Sequence, residues 1–270
     1  MKNLLLFLLL GSLYVVSAGD ADFDGVDDIN DKCPNTPFSD LSDSSGCTTT
    51  SLYTPTHYDI IMGYNYASSN PNTLEDTKTS SATLQADIYH GNFSGQIQSS
   101  YYKSTGSSYN AQGANDTQLS LYYSLKPLTS LTIQAGTGVI LPTYETGYNN
   151  EATDYLGSLS MRYSATNNIN LFGGYTHTMI NDDNIPNLVD YQDTDAFYAG
   201  LGYASAKNGS LNVSYANTKS IYVGVENIET LSCGVMIPLD THWFVLGDYR
   251  YGLSDSASDN EVALRLGYAF

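Results

Sequence analysis

Positive charge is what this sequence has least of. Ten Lys and Arg stand against 28 Asp and Glu, a net charge of −18. Phosphate binding needs a basic footprint, so nucleic acid is excluded as a partner. Long apolar runs are also missing. After the first 18 residues, no stretch approaches the ~18 apolar residues of a membrane-crossing helix. Cysteine occurs only three times, at Cys33, Cys47 and Cys233, so the chain closes at most one internal bridge. Histidine is sparse too, occurring only at His57, His90, His177 and His242.

What is abundant is Tyr, 24 times, and Gly, 23 times. So many Tyr with so few cations is odd for a cytosolic enzyme. It suits a β-sheet with aromatic belts at two interfaces.

Met1 to Ala18 reads as an export signal. Lys2 precedes the apolar run Leu4 to Leu10, and Val16-Ser17-Ala18 places small residues at the cleavage-like end. Removal of residues 1–18 takes one base and no acid. The mature chain then carries 9 bases and 28 acids, a net −19. That charge suits divalent cations, and an exported chain enters a compartment that permits disulfides.

Residues 19–50 form a second, acidic segment. Asp20, Asp22, Asp24, Asp28 and Asp31 fall at relative positions 1, 3, 5, 9 and 12, with Gly25 at the sharp turn. Carboxylates so spaced wrap one small volume, and a hard cation takes six to eight oxygens in such a loop. Asp31 stands where a helix-flanked calcium loop needs Glu, and Cys33-Pro34 follows. This ending resembles a thrombospondin type 3 repeat, present essentially as a single copy. The resemblance implies calcium as ligand, held by Asp20, Asp22, Asp24, Asp28, Asp31 and the carbonyl of Val26. Cys33 and Cys47 are the natural disulfide pair, stabilising by roughly 3 kcal/mol through loop closure. Cys233 sits on an apolar strand parity with Leu231, Val235 and Ile237 and reads as a small hydrophobe.

From residue 51 onward the pattern changes to alternation. Segments near 56–67, 80–90, 92–103, 115–125, 130–141, 153–164, 168–179, 195–206, 210–221, 227–238, 242–253 and 260–270 repeat with period two. That is about twelve strands, an even number. Short connections carry turn chemistry at 90–92, 126–127, 166–168, 207–209 and 239–241. Longer polar ones span 68–79, 104–114, 142–152, 180–194 and 254–259, with 223–226 as a short exception. Such alternation marks two unlike rims, an extracellular and a periplasmic one, and puts both termini on the periplasmic side. A strand of about 11 residues, tilted about 40°, rises near 28 Å, which spans a thin apolar band.

The final stretch makes the pattern sharpest. Val262, Leu264, Leu266, Tyr268 and Phe270 share one parity, and the chain stops on Phe270. A sheet edge left open in lipid costs several kcal/mol per unsatisfied backbone group, so the last strand must close the sheet. This ending resembles the C-terminal strand of bacterial outer-membrane β-barrels. The resemblance implies an all-β antiparallel transmembrane barrel. It also implies that Leu264, Leu266, Tyr268 and Phe270 act as a signal to the barrel-assembly machinery. The soluble alternative, a sandwich or lipocalin-like barrel, would need a greasier interior.

The opposite parity carries Gln85, Asp87, Gln96, Gln98, Gln134, Arg162, Asp248, Arg250 and Arg265, which are expected to face the lumen. Arg162, Asp248, Arg250 and Arg265 read equally as a solute-selecting constriction and as a salt-bridge network tying the wall together. A twelve-stranded wall has a backbone radius of roughly 12 Å and a bore of at most about 10 Å. Inward Tyr89, Tyr122 and Phe244 are expected to narrow or plug it.

Two functions follow. One is porin-like passage of small solutes. The other is a non-conducting envelope or adhesion protein that uses the barrel as an anchor and binds a surface ligand. Lipid-active outer-membrane enzymes also resemble this architecture, but they need a His beside a nucleophile or metal-bound water at the rim. Here only His177 lies near an extracellular strand end, beside Thr176, Thr178, Asp182 and Asp183, so no enzyme is expected. The Asp-rich loops are expected to bridge lipopolysaccharide through divalent cations.

Overall fold

The computed structural model describes residues 32–33, 41–42, 45, 47–50, 56–70, 76–106, 110–143, 151–186, 188–205 and 209–270. The chain divides into two compact units, Met1–Tyr53 and Thr54–Phe270. In the first, strands β1 (Leu41–Ser42) and β2 (Thr48–Thr50) pair antiparallel. Cys33 and Cys47 are disulfide-bonded, with Cα atoms 5.0 Å apart. The export signal and the candidate calcium ligands Asp20, Asp22, Asp24, Val26, Asp28 and Asp31 lie outside the described residues.

The second unit is built from β3 (Thr56–Ser69), β4 (Thr77–His90), β5 (Phe93–Thr105), β6 (Asn110–Ala114), β7 (Thr117–Leu128), β8 (Leu131–Leu141) and β9 (Asp154–Ser164). It continues with β10 (Ile169–Met179), β11 (Thr194–Ser205), β12 (Gly209–Thr218), β13 (Ile228–Pro238), β14 (Trp243–Gly252) and β15 (Asn260–Ala269). Neighbours are antiparallel throughout. β15 pairs with β3 from Asn260↔Ser68 to Ala269↔Asp59, which closes the sheet. The result is a closed barrel of twelve long strands, with the short β6 beside the upper half of β5. Closure leaves no open edge among the twelve long strands, which is what lipid demands of a sheet.

The apolar parity faces outward. Leu121 is 66% exposed, Leu264 62% and Met62 57%. Among the described residues, only Ile61, Leu156, Ala257 and Ala263 are hydrophobic and more than nine-tenths buried. Asp87, Ser120 and Asp154 are instead among the buried polar residues. This inside-out distribution is ruinous in water, where such large apolar patches aggregate, and is required in lipid. It decides against the soluble sandwich.

Three connections differ from expectation. Residues 104–114 are mostly strand: β5 runs to Thr105 and pairs with β6 from Tyr101↔Ala114 to Thr105↔Asn110. The segment is polar on both faces, so the hairpin carries no hydrophobic alternation to betray it. Lys126 and Pro127 lie inside β7, and the turn falls at 129–130. The register shifts between Leu125 and Leu128, an irregularity that tolerates a residue without an N–H. The 223–226 connection is not short, because β12 ends at Thr218 and β13 begins at Ile228. There Tyr222 bridges to Tyr191, and Val223 N donates to Asp190 O at 2.9 Å. All six connections on that rim are therefore either long or, at 106–109, carried on an extended hairpin.

Candidate functional site in the barrel lumen

Directly paired residues of an antiparallel sheet share a face, so register shows which side chains meet inside. Asp87 pairs with Gln96, Gln85 with Gln98, and Gln134 with Ser160. All stand opposite in parity to the outward Ile88, Ile97 and Leu159. Arg162 shares the inner face with Thr132 and Phe172, and Asp248 shares it with Ala263.

Two of the three lumen arginines are neutralised in place. Arg265 Nη2 donates to Asp248 Oδ2 at 2.6 Å, and Arg250 Nη1 to Glu261 Oε1 at 3.2 Å. The final strands thus carry two cross-strand ion pairs, and the arrangement is that of a wall tie. Arg162 makes no ion pair among the described residues.

The adjoining strands β3 and β4 carry an acidic pair. Asp59, which parity reading passed over, pairs directly with Asp87 across β3 and β4. Asp87 is only 6% exposed and accepts from Gln85 Nε2 at 2.7 Å and Gln96 Nε2 at 2.9 Å. Asp59 Oδ1 is buried and accepts no hydrogen bond. The alternation Asp59, Ile61, Gly63 along β3 was the available signal, but only register reveals the partner carboxylate.

Three inward rings lie over glycines of the neighbouring strands. The ring of Tyr122 occupies the space in which Gly136 would carry a Cβ, which would stand 2.5 Å from Tyr122 Cδ1. Tyr198 likewise lies over Gly174, at 2.7 Å from its notional Cβ. Each glycine lets a ring lie against the wall instead of across the lumen. Phe244 is held over Gly267 in the same way. Tyr89 stacks on His57 with ring centroids 4.4 Å apart. Between these groups lies a cavity of about 340 Å³, lined among others by Asp87, Tyr89, Gln96, Tyr122, Gln134 and Tyr198.

The rims carry other groups. His177 points outward, where its Nδ1 lies 2.9 Å from Asp195 Oδ1. Tyr175 Oη also donates to Asp195. This His–Asp pair spans two strands and was invisible in the local sequence, where Asp182 and Asp183 stood nearer. Among the described residues no Ser, Thr or Cys side chain hydrogen-bonds His177. Asp182 instead accepts from Ala152 N at 3.2 Å. Its carboxyl is pushed above the usual range, first by burial and then by the nearby Asp116 and Asp183 charges. Cys233 faces outward with Val213 and Tyr249, which suits a small apolar residue. At the turn rim, Tyr268 packs against Trp243 (4.8 Å), Phe270 (4.7 Å) and His242 (5.5 Å). Phe270 N donates to Tyr58 O at 2.8 Å, adding one more rung to the seam.

No family model and no curated protein matches the chain. Solved structures do. An outer-membrane channel from Pseudomonas putida F1 superposes with a TM-score of 0.67 at 9% identity, over 79% of this chain and 95% of that one. The NanC porin gives 0.50 at 13% identity, over 79% and 98%. The KdgM porin in complex with disordered oligogalacturonate gives 0.50 at 11% identity, over 78% and 98%. At such identities the likeness is one of fold, and the fold of this chain is that of an outer-membrane β-barrel of twelve antiparallel strands.

Proposed function

We propose that the chain is a porin-like channel for small solutes in a bacterial outer membrane. The observation that carries this reading is the inner face itself. It is polar, Arg265 and Arg250 are neutralised by Asp248 and Glu261, and its rings are held against the wall around a solute-sized cavity. A mere anchor has no need of glycines beneath its inward rings. The long-loop rim faces outward from the cell, where its Asp residues bridge lipopolysaccharide through divalent cations. The short-turn rim and the N-terminal segment lie in the periplasm. That segment binds calcium through Asp20, Asp22, Asp24, Asp28, Asp31 and the Val26 carbonyl, and the Cys33–Cys47 bridge holds the chain beyond it. Insertion proceeds through the barrel-assembly machinery, which reads Leu264, Leu266, Tyr268 and Phe270.

Single-channel recording of the refolded full chain in a planar bilayer tests the reading. Steady conductance whose ion selectivity shifts on Arg250→Ala or Arg265→Ala supports a channel. A silent bilayer, with heat-modifiable gel migration proving a folded barrel, overturns it in favour of an anchor.

A further inference from the structure

The lumen cavity has a chemical character of its own. Small inward-facing residues on β8 to β10 form a floor in consecutive register, Gly136, Ser158, Ser160 and Gly174, of which the two serines line the cavity. Tyr122 on β7 and Tyr198 on β11 flank this floor, each laid over one of its glycines. Tyr198 remains 38% exposed although it faces inward, so its surface is offered to the lumen. Around the rings stand hydrogen-bonding groups of modest polarity. Gln134 Nε2 reaches Ser124 Oγ at 3.1 Å, and Gln96 holds the Asp87 carboxylate at 2.9 Å. No Lys or Arg lines the cavity.

We infer that this cavity is a binding subsite for a neutral, polyhydroxylated solute of monosaccharide size. Its volume of about 340 Å³ sits at the small end of ligand pockets, which span about 300–1,000 Å³. Aromatic rings carry a negative face that attracts the positively polarised C–H bonds of a sugar ring. The Gln, Ser and Asp side chains supply acceptors and donors for hydroxyl groups. The carboxylate argues against an anion. Asp87 lines the cavity, Asp59 pairs with it across the strands, and the nearby arginines are engaged elsewhere or lie outside the lining. An acidic sugar placed there meets like charge without a compensating base. The inference deepens the channel reading and rests on its solvent-filled lumen, because a solute reaches the cavity only through a lumen open at one rim at least.

The test uses the refolded full chain in a zwitterionic detergent without a sugar head group. Saturation-transfer NMR is recorded with methyl glucoside and, separately, with glucuronate. The expected result is transfer to the glucoside ring protons and on the order of tenfold weaker apparent affinity for glucuronate. Tyr122→Leu/Tyr198→Leu removes the signal. Gly136→Ala, which leaves both tyrosines present but drives the Tyr122 ring off the wall, weakens it at least severalfold. Heat-modifiable migration verifies folding of each variant. Glucuronate binding as tight as glucoside, or a signal unchanged in the double variant, overturns the subsite. Conductance recorded on the same preparations separates the two ideas. Conductance without glucoside transfer overturns the subsite and leaves the channel, whereas transfer without conductance supports the subsite and overturns the channel.

Discussion

Ile97 and Gln98 are adjacent near the middle of β5, yet they face opposite solvents. Ile97 lies on the outer face and is 45% exposed, and Gln98 pairs with Gln85 on the inner face. Replacing each by Lys therefore separates a lipid face from a water face with one residue of offset. A Lys at the bilayer midplane of a barrel costs about 2–4 kcal/mol, whereas lumen positions are tolerant. At 1.4 kcal/mol per tenfold, Ile97→Lys should lower the folding equilibrium constant about 30- to 700-fold. Gln98→Lys should stay within about 1 kcal/mol of the parent, because its ammonium remains hydrated. The assay is reversible guanidinium unfolding in thin-bilayer vesicles, followed by the fluorescence of the single tryptophan, Trp243. The reasoning would be refuted by equal costs at the two sites. It would be refuted more strongly by a neutral Ile97→Lys, the result expected if the exposed apolar band met water.

Other outcomes follow from the same structure. Asp24→Ala or Asp28→Ala should abolish calorimetric calcium binding by the full chain, while Cys33→Ser should weaken it through loss of a bridge of roughly 3 kcal/mol. Arg265→Ala should leave Asp248 unpaired, shift the reversal potential toward cation preference, and cost roughly 1 kcal/mol, discounted because both side chains are partly exposed. Because the Asp182 carboxyl is raised in the folded state, acidification through its folded pKa should stabilise the 180–193 loop. Raising the pH through that range should loosen it, and hydrogen exchange of the loop should lose this dependence in Asp182→Asn. Phe270→Ser should slow assembly into vesicles supplied with the barrel-assembly machinery more than it lowers equilibrium stability. Phe270 is 63% exposed and contributes little packing beyond the Tyr268 ring.

The amino-acid order determined the alternation of faces, and with it the class of fold. Residues i and i+2 of a strand share a face whatever surrounds them, so Val262 to Phe270 announced a lipid-facing strand without any partner in view. Turn chemistry marked Gly91-Asn92, where Gly91 adopts a positive φ of 58°. It misplaced the Lys126-Pro127 turn, because a register shift can absorb a proline that local rules read as a break. What only tertiary structure decided is which inward residues meet. Arg265 and Asp248 are 17 residues apart, His177 and Asp195 are 18 apart, and Asp59 and Asp87 meet across the β3–β4 hairpin. Each pairing is set by strand register, and a slip of one residue would turn every side chain of a strand to the other face. The same holds for Tyr122 over Gly136 and Tyr198 over Gly174. Sequence shows a tyrosine and a glycine, but only the closed barrel lays one upon the other and leaves room between them for a solute.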